Sequence, residues 1–497
     1  MGCPEILAGV MKPHRRDLLR AAAIAPAILH AQNRASDVIR IGIIGLGGIS
    51  RAHLRELATL KSQARITAVC DIYAPRLDAG VTATGAKGYR DYRDLIADPN
   101  VDAVLVLTPD HWHARMAIDA MRAGKDVDVE KPMALTIEEA QEMVRVARET
   151  GRVLAVDSEH TAHGIWPPAA QAVKSGVLGK LLWSQTSRSR NDREPPWAYP
   201  IERGASPENL DWNAFLGVAP KREFDAERFF RWRRYWEYSG GLITDLFIHH
   251  ITPLLMVAGA EFPRRAATSG GAWHFPLDGR LETPDTMVTA FDFPSKHTLL
   301  CAGSLANSVE LPIVMRGHEA NIFFYGPDHR RPDWFILEPE APFVSTFRDK
   351  IEKSGIEGRW LGSEGAAGGR FAELSPARQD SWMAGALGES QVRADFDAAV
   401  KKQASLEKDR AARTAWFGRI YDGRQKAGQA RPRFRVDAPP APSFMERFLE
   451  AVRTRGKPVF DGELGYITQV AIVMAVRSWR EDKVFLFDQE TETIRAA

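Results

Sequence analysis

The first segment of this chain whose residue types could carry chemistry is a glycine-rich turn. It follows a β-branched stretch at 38–44, precedes an amphipathic one, and consists of Gly45, Leu46, Gly47, Gly48 and Ile49. Glycines allow a tight turn and let the backbone approach a pyrophosphate, while the N-terminus of the next helix supplies unpaired N–H groups. We therefore predict that this turn binds a dinucleotide cofactor.

Two charged residues after the second predicted strand, 66–70, bear on the choice of dinucleotide. Asp71 ends that strand, where a carboxylate can bind a ribose 2′-hydroxyl and repels a 2′-phosphate. Arg76 follows closely and could instead pair with a 2′-phosphate. The two residues together favour NAD as the cofactor and leave NADP possible.

A loop at the same edge of the predicted sheet contributes the next polar groups. Ligands of open α/β sheets bind at the carboxyl ends of the strands, and this loop follows the predicted strand at 101–107. We predict that its cofactor contacts come from Thr108, Pro109, His111 and His113.

A tripeptide at the end of a further predicted strand connects these segments to a known family. With Glu130-Lys131-Pro132 after the glycine turn, the chain resembles the glucose-fructose oxidoreductase, inositol dehydrogenase and MocA family (Gfo/Idh/MocA), over residues 38 to about 335 and again from about 443 to 490. The resemblance implies that Glu130 helps to hold the cofactor and that Lys131 contacts both the nicotinamide and the substrate hydroxyl. It also implies that the peptide bond between Lys131 and Pro132 can be cis.

A helix predicted after Gly240 and Gly241 carries a candidate acid–base pair. Asp245 and His249 are four residues apart and should share one helical face, where the carboxylate would hold the imidazole in one tautomer. The family resemblance implies that His249 is the general base toward the alcohol and that Asp245 is its partner. Phe247 stands where relatives commonly have glycine, which leaves the pair intact but alters the pocket. Taken alone, the pair would more simply be a structural hydrogen bond.

Aromatic and basic residues alternate in the run 228–238, just before that helix. Aromatic rings stack on sugar rings, and guanidinium groups bind hydroxyls or carboxylates through two hydrogen bonds. Core packing with a solvated or subunit-facing basic edge is the competing interpretation, so only a few residues of the run should reach the substrate. We predict substrate contacts from Arg231, Trp236 and Tyr238, in addition to Lys131, Asp245 and His249.

The secondary-structure patterns predict an α/β protein with two units. From 38 to 157, short β-branched stretches alternate with helical periods, which is typical of a doubly wound parallel sheet, the Rossmann fold. Strands with polar alternation follow and indicate an α+β unit with an open, mainly antiparallel sheet. We predict an NAD(P)-binding domain at 37–160 and a substrate and oligomerisation domain at 161–490, with an insertion at about 340–440.

Composition excludes several classes of partner and site. The 66 Lys and Arg residues against 64 Asp and Glu residues give a net charge of +2, which argues against a nucleic-acid binder. Three cysteines are too few for a disulfide framework or a cysteine zinc site, and histidines such as His160 and His163 lack metal-ligand spacing. We therefore predict no metal site. No apolar run reaches the length needed to span a bilayer.

The N-terminus resembles a twin-arginine export signal. Arg15 and Arg16 lie in a basic segment that precedes an alanine-rich stretch at 21–31. We predict a signal peptide at 1–36 and a periplasmic or secreted protein, or a cytoplasmic one if the signal does not function. The alternative, an amphipathic N-terminal helix, is disfavoured by Pro26.

These features together predict an NAD(P)-dependent oxidoreductase that transfers a hydride between the nicotinamide and a sugar, cyclitol or sugar derivative. Two other functions stay open. A glycosidase could use bound NAD for transient oxidation of a sugar followed by elimination, and a non-catalytic protein could bind the dinucleotide for regulation. The expected partners are a small-molecule carbohydrate and further copies of the chain, because similar proteins commonly form homo-oligomers.

Overall fold

The architecture is taken from a computed structural model, which describes residues 38–326, 331–361, 379–380, 382–384, 390–403, 406, 409–427 and 431–497. The predicted signal peptide, 1–36, and the glycine-rich part of the predicted insertion, 362–369, lie outside the described residues. Export therefore stays a prediction. In the ranges that are described, no helix is long and apolar enough to cross a membrane.

The first unit contains a parallel sheet of six strands. These strands are β1 (Ile39–Ile44), β2 (Ala64–Cys70), β3 (Lys87–Tyr89), β4 (Ala103–Val106), β5 (Asp126–Glu130) and β6 (Leu154–Asp157). Their order, β3-β2-β1-β4-β5-β6, is that of doubly wound dinucleotide-binding sheets. The central strands are buried along almost their whole length because helices cover both faces. The predicted fold class is confirmed.

Helices connect the strands of this first sheet. They are α1 (Ser50–Thr59), α2 (Ala74–Thr84), α3 (Tyr92–Ala97), α4 (Asp110–Arg122) and α5 (Ile137–Thr150). Helix α1 begins directly after the glycine turn, so its unpaired N–H groups lie at the carboxyl edge of the sheet. Helix α5 begins at a capping box, in which Thr136 and Glu139 each accept the other's backbone N–H.

The second unit is built on a mixed, mainly antiparallel sheet of eleven strands. Its strands are β7 (Leu181–Ser187), β9 (Arg265–Gly271), β10 (Thr286–Asp292), β11 (Thr298–Ser304), β13 (Val314–Gly317), β14 (Ala320–Tyr325), β15 (Trp334–Pro339), β16 (Arg359–Leu361), β17 (Arg433–Asp437), β18 (Phe485–Asp488) and β19 (Thr493–Ala496). Two short strands, β8 (Arg190–Asn191) and β12 (Ala306–Asn307), pair separately. Strands β16 and β17 lie in the predicted insertion and extend one edge of the sheet.

One face of this second sheet is covered and the other is open. Along β10, Met287 and Phe291 are buried, whereas Val288 on the opposite face is 42% exposed. Alternation of this kind is expected of an antiparallel sheet with one uncovered face. A homo-oligomer formed through this face stays a prediction.

Helices and single turns complete the second unit. The helices are α6 (Trp166–Lys174), α7 (Trp212–Leu216), α8 (Ala226–Phe230), α9 (Ile248–Ala258), α10 (Val344–Ser354), α11 (Ser390–Lys402), α12 (Arg410–Ala427), α13 (Phe444–Thr454) and α14 (Gly462–Glu481). Short 3₁₀ turns occur at Glu159–Ala162, Trp232–Arg234 and Ala341–Phe343, and a π-helical turn at Ile243–Phe247 leads directly into α9.

Helix α14 joins the two units. It packs against α5 of the first unit and against β9 of the second. Gln469 donates a hydrogen bond to the carbonyl oxygen of Ala134 at 2.7 Å. A Cβ at Gly465 would lie 2.9 Å from Met133 and from Val156, so the helix approaches the first sheet closely. One continuous hydrophobic core consequently runs through both units and holds the edge of the first sheet against the second.

Candidate active site

The glycine turn exposes its backbone to the cleft because Gly45, Gly47 and Gly48 have no side chains. Gly45 has a φ of 93°, and a Cβ there would lie 2.6 Å from the carbonyl oxygen of Leu107, so only glycine fits. Cβ atoms on Gly47 and Gly48 would meet no neighbouring atom closer than 3.5 Å. The open backbone and the N-terminus of α1, which follows Ile49, fit a diphosphate group.

Asp71 holds this turn in place from the end of β2. One carboxylate oxygen accepts the backbone N–H of Leu46 at 2.7 Å, and the other accepts that of Tyr73 at 2.8 Å. The carboxylate also borders the cleft, where the sequence predicts a contact with the ribose. Asp71 therefore positions the turn in addition to any role toward the cofactor.

Arg76 also borders the cleft, but its guanidinium group has partners within the protein. Two of its nitrogens donate to Glu202 at 2.9 and 3.2 Å. The guanidinium carbon lies 5.3 Å from the ring centroid of Phe229 and 5.1 Å from that of Phe230. An arginine held in this way is less available for a 2′-phosphate than the sequence suggests.

Two histidines predicted to contact the cofactor hold neighbouring loops together instead. The Nδ1 atom of His113 lies 2.6 Å from the carbonyl oxygen of Pro132, and Nε2 lies 2.7 Å from that of Thr108. The Nε2 atom of His111 lies 2.8 Å from the carbonyl oxygen of Phe215. Burial lowers the pKa of His111 to about 4 and also lowers the pKa of His113. Both residues border the cleft, and each neutral ring can donate one N–H to a neighbouring backbone carbonyl oxygen.

Glu130 is held by a buried histidine that the sequence analysis missed. The Nε2 atom of His53 lies 3.2 Å from Glu130 and 3.7 Å from Asp157. Burial opposes a charge on His53, but these carboxylates outweigh it and raise the pKa of His53 to about 10. Burial likewise opposes a charge on Glu130, and His53 outweighs it and lowers the pKa of Glu130. No local spacing links α1 to β5, so this contact had no signal in the sequence.

Lys131 reaches from the first unit into the second. The Lys131–Pro132 peptide bond is cis, as expected. The ammonium group donates to the backbone oxygen of Asp245 at 2.8 Å and to its carboxylate at 3.0 Å. Burial opposes a charge on Lys131, but Asp245 and Glu130 outweigh burial and raise the pKa of Lys131 above its ordinary value. Lys131 therefore stays protonated at neutral pH.

Asp245 does not partner His249, contrary to the prediction. Asp245 lies in the π-helical turn, and its carboxylate binds residues of other elements, whereas the hydrogen-bond partner of the His249 ring is Ser158. Besides the lysine, its carboxylate accepts hydrogen bonds from Arg233 Nε at 2.9 Å and from Trp197 Nε1 at 3.0 Å. Burial favours protonation of Asp245, but the neighbouring cations, Arg233 first, hold its pKa well below its usual range.

His249 is positioned by Ser158 instead of the aspartate. Its Nδ1 atom lies 2.9 Å from the Ser158 hydroxyl oxygen, and its ring centroid lies 4.8 Å from that of His160. Burial, followed by the charge of Lys131, lowers the pKa of His249 well below 6.5. The imidazole is therefore neutral at neutral pH and can accept a proton.

Two groups of possible metal ligands occur within the described ranges. In each group, one ligand atom from every residue lies within 4.8 Å of the others; the groups are Glu159, His160 and His249, and His53, Glu130 and Asp157. Glu159 and His160 are adjacent in one 3₁₀ turn, but His249 lies in α9, and the members of the second group lie in α1, β5 and β6, so the spacing along the chain did not indicate either group. We assign no metal to either group.

Three residues predicted to contact the substrate do not border the cleft. Tyr238 is fully buried in an aromatic cluster, Trp236 packs against a tryptophan of α14, and Arg231 forms an ion pair with a glutamate of α8. Trp232 and Arg233 border it instead. The run therefore contains cleft residues, as the alternation suggested, but the 3₁₀ turn decides which of its side chains face the cleft.

A segment that sequence reasoning missed also borders the cleft. It runs from residue 199 to 218, and it is fixed to the first unit by backbone hydrogen bonds from Ala74 to Asn209 at 2.8 Å and from Asp211 to Ile72 at 3.1 Å. The resulting cleft has a volume of about 1790 Å³. It is bordered by residues of both units, among them the glycine turn, Asp71, Thr108, Pro109, Glu130, Lys131, Tyr199, Phe215, Trp232, Arg233, Asp245 and His249.

Family models agree with this architecture. Residues 39–158 match the GFO_IDH_MocA model, described as an oxidoreductase family with an NAD-binding Rossmann fold. Residues 168–264 match the C-terminal alpha/beta domain of the same oxidoreductase family. The chain therefore belongs to the Gfo/Idh/MocA oxidoreductases, and its first unit is an NAD-binding Rossmann domain.

Two curated relatives each match part of the chain. An inositol 2-dehydrogenase of Salmonella typhimurium is 39% identical over 116 residues, which are 23% of this chain and 34% of that protein. A glycosyl hydrolase family 109 protein of Shewanella baltica is 30% identical over 210 residues, which are 35% of this chain and 45% of that protein. The matched regions thus span less than half the length of either relative.

A solved structure shares the fold over most of both chains. The WlbA dehydrogenase from Bordetella pertussis, determined in complex with NADH and UDP-GlcNAcA, superposes with a TM-score of 0.56. The match covers 91% of this chain and 98% of that one, at 20% sequence identity. At this identity the likeness concerns the fold.

The glycine turn leads to a first prediction. Gly45→Ala places a Cβ against the carbonyl oxygen of Leu107 and strains a backbone with positive φ. We expect the turn to shift and the affinity for NAD to fall about tenfold or more, since a shift of even 1.4 kcal/mol changes a binding constant tenfold. Calorimetric titration of the purified protein with NAD measures this effect.

Gly151→Ala is the matched control. Gly151 also has a positive φ, of 64°, but it lies at the end of α5 and a Cβ there would meet nothing within 4 Å. This variant should lose about 1–2 kcal/mol of stability from backbone strain and keep its affinity for NAD. Equal losses of NAD affinity in both variants would show that strain, and not the shape of the turn, was responsible.

Proposed function

We propose that this protein is an NAD-dependent dehydrogenase that interconverts a hydroxyl group of a sugar or cyclitol and the corresponding ketone. The observation that carries the proposal is that Lys131 of the first unit binds Asp245 of the second in the cleft that begins at the glycine turn, and that His249, whose pKa the charge of Lys131 helps to lower, borders the same cleft. Similarity to an inositol 2-dehydrogenase supports a polyol substrate.

The residues bordering the cleft fit NAD. The turn beginning at Gly45 would accept the diphosphate, Asp71 would bind a ribose hydroxyl, and Glu130 would hold the nicotinamide half. When bound, NAD supplies the acceptor for the hydride that leaves the substrate carbon. The protein's own residues supply the orientation of the substrate and the transfer of its proton.

Lys131 and His249 have different roles toward the substrate hydroxyl. The neutral imidazole of His249 accepts the hydroxyl proton as the carbon–oxygen double bond forms. The ammonium group of Lys131 donates a hydrogen bond to the same oxygen and stabilises the negative charge that develops there. Asp245 positions Lys131, and Ser158 orients the ring of His249.

Substitution of the two reacting side chains tests this assignment. We expect Lys131→Met and His249→Gln each to lower kcat for sugar or cyclitol oxidation by about 10²–10⁴-fold, because each removes a group that acts on the reacting oxygen. NAD affinity should change little in His249→Gln. The measurement is NADH formation by the purified protein with a panel of sugars and cyclitols, alongside NAD titration.

The pH profile separates a proton acceptor from a structural histidine. Because the pKa of His249 is lowered, the neutral form persists as the pH falls through 6.5, and oxidation should slow only in more acidic solution. His249→Gln should abolish this acidic limb. A wild-type rate that already halves near pH 6.5, or an unchanged profile in the variant, would contradict the role of His249. Unimpaired function of both variants would instead support a non-catalytic dinucleotide-binding protein.

Cofactor choice gives a separate prediction. Since Arg76 is paired with Glu202 and Asp71 stands at the end of β2, we propose that NAD is preferred over NADP. We expect NADP to bind about tenfold or more weakly than NAD. Glu202→Gln should weaken the hold on Arg76 and reduce the difference in affinity between NAD and NADP. Glu208→Gln, in the same segment 199–218, should leave that difference unchanged. Titrations with both dinucleotides measure the ratio, and a wild-type preference for NADP would refute it.

A glycosidase that uses NAD without net redox change is the second candidate. Similarity to a glycosyl hydrolase family 109 protein favours it, and a neutral His249 could equally remove a proton from the carbon beside a transient ketone. An assay with aryl glycosides distinguishes the two candidates. The dehydrogenase should form NADH in proportion to the product, whereas the glycosidase should release the aglycone with no net NADH. Aglycone release that exceeds NADH formation manyfold would replace the first proposal with the second.

A further inference from the structure

The guanidinium group of Arg233 is fixed on three sides at the substrate end of the cleft. Its Nε atom donates to the Asp245 carboxylate at 2.9 Å. Its carbon lies 4.2 Å from the centroid of the Trp232 ring and 5.7 Å from that of Tyr199, both of which border the cleft. An arginine anchored at one edge and flanked by rings has little freedom left to lose when it binds a ligand.

The remaining edge of this guanidinium group faces the cleft. Among the described residues, none accepts a hydrogen bond from Nη1 or Nη2 of Arg233. The next residue, Arg234, differs, since its three side-chain nitrogens donate to Pro196, Glu227 and Pro195. Arg233 thus presents two donors to the cleft in the planar arrangement that binds an oxyanion.

Positive charge exceeds negative charge around this edge. Lys131 and Arg233 both bind the same oxygen of Asp245, and Glu130, the other carboxylate near Lys131, is held by the cationic His53. Burial raises the pKa of the nearby Asp110 to about 7, so that carboxyl group is only partly ionised at neutral pH. A buried charge is stable when it has an opposite charge of its own. Arg233 has only the Asp245 oxygen that it shares with Lys131.

Two further acidic groups that border the cleft are next to arginines of their own. Glu159 lies 3.6 Å from Arg331, and Glu202 lies 2.9 Å from Arg76. Neither carboxylate therefore compensates Arg233, and a ligand can supply the missing charge.

We propose that Arg233 binds an anionic group of the substrate, so that the protein acts on a carbohydrate bearing a carboxylate or a phosphate ester. This inference rests on the proposed dehydrogenase function and specifies its substrate class. Because Lys131 and Arg233 bind one oxygen atom between them, the reacting hydroxyl and the anionic group can belong to one monosaccharide. Hydroxyl groups alone would leave the charge of Arg233 uncompensated.

Matched substrates that differ only at C6 test the proposal. D-Glucose, D-glucuronate and D-glucose 6-phosphate form one such series, and the galacto and manno series extend it. With NAD in excess, we expect kcat/KM for an anionic member to exceed that of its neutral counterpart by about 30-fold or more. Preference for the uronate identifies a carboxylate substrate, and preference for the phosphate identifies a phosphate ester.

Arg233→Gln should reduce this ratio to near one, mainly through KM for the anionic substrate, while Arg233→Lys should keep part of it. Arg231→Gln is the control, since Arg231 lies in the same run but does not border the cleft; its guanidinium group binds Glu227 and the backbone oxygen of Tyr199. NAD titration and thermal melting show whether each variant is folded. An anionic-to-neutral ratio near one in the wild type, or equal ratios in Arg231→Gln and Arg233→Gln, would overturn the inference and leave the proposed dehydrogenase intact.

Direct binding separates this inference from the proposed function. NAD-loaded protein is titrated calorimetrically with D-glucuronate, D-glucose 6-phosphate and D-glucose. Binding of an anionic sugar that Arg233→Gln abolishes would support the anion site even if no sugar of these series reduces NAD, a result that would count against the dehydrogenase alone. Absence of any such binding in the wild type would overturn the anion site.

Discussion

The ion pair between Lys131 and Asp245 is the interaction on which the arrangement of the cleft depends. The two residues belong to different units, and their side chains are only 10% and 12% exposed. Loss of one partner of a buried pair leaves an uncompensated charge, which costs about 3–5 kcal/mol. The pair therefore keeps the end of β5 and the π-helical turn together before any ligand binds, which places the reacting groups in advance.

Burial opposes the charged form of His249 and of the cations alike, but only the cations have a carboxylate partner that restores their charge. His249 contacts a neutral hydroxyl and lies near the charge of Lys131, so burial leaves it unprotonated. Lys131 and Arg233 each bind Asp245 and keep their charges. Asp245 thus keeps two permanent cations beside a histidine that burial and Lys131 hold neutral, an arrangement that suits removal of a proton from an oxygen that becomes negative.

The segment 199–218 of the second unit contacts the first unit at the cofactor end of the cleft. It places Glu202 against Arg76 and supplies backbone contacts to the loop after β2. Arg76, which we propose affects the choice of dinucleotide, is therefore held by a part of the chain more than a hundred residues away. Both the cofactor end and the substrate end of the cleft are shared between the two units.

The parallel sheet, the glycine turn and the positions of Asp71, Glu130 and Lys131 at strand ends could all be predicted from the sequence. These features depend on hydrophobic periodicity and turn chemistry, which act between residues close together along the chain. The sequence did not show that Asp245 binds Lys131 instead of His249, nor that Trp232 and Arg233, not Arg231, Trp236 or Tyr238, face the cleft. Those outcomes depend on contacts between elements that are far apart along the chain, which local residue spacing does not contain.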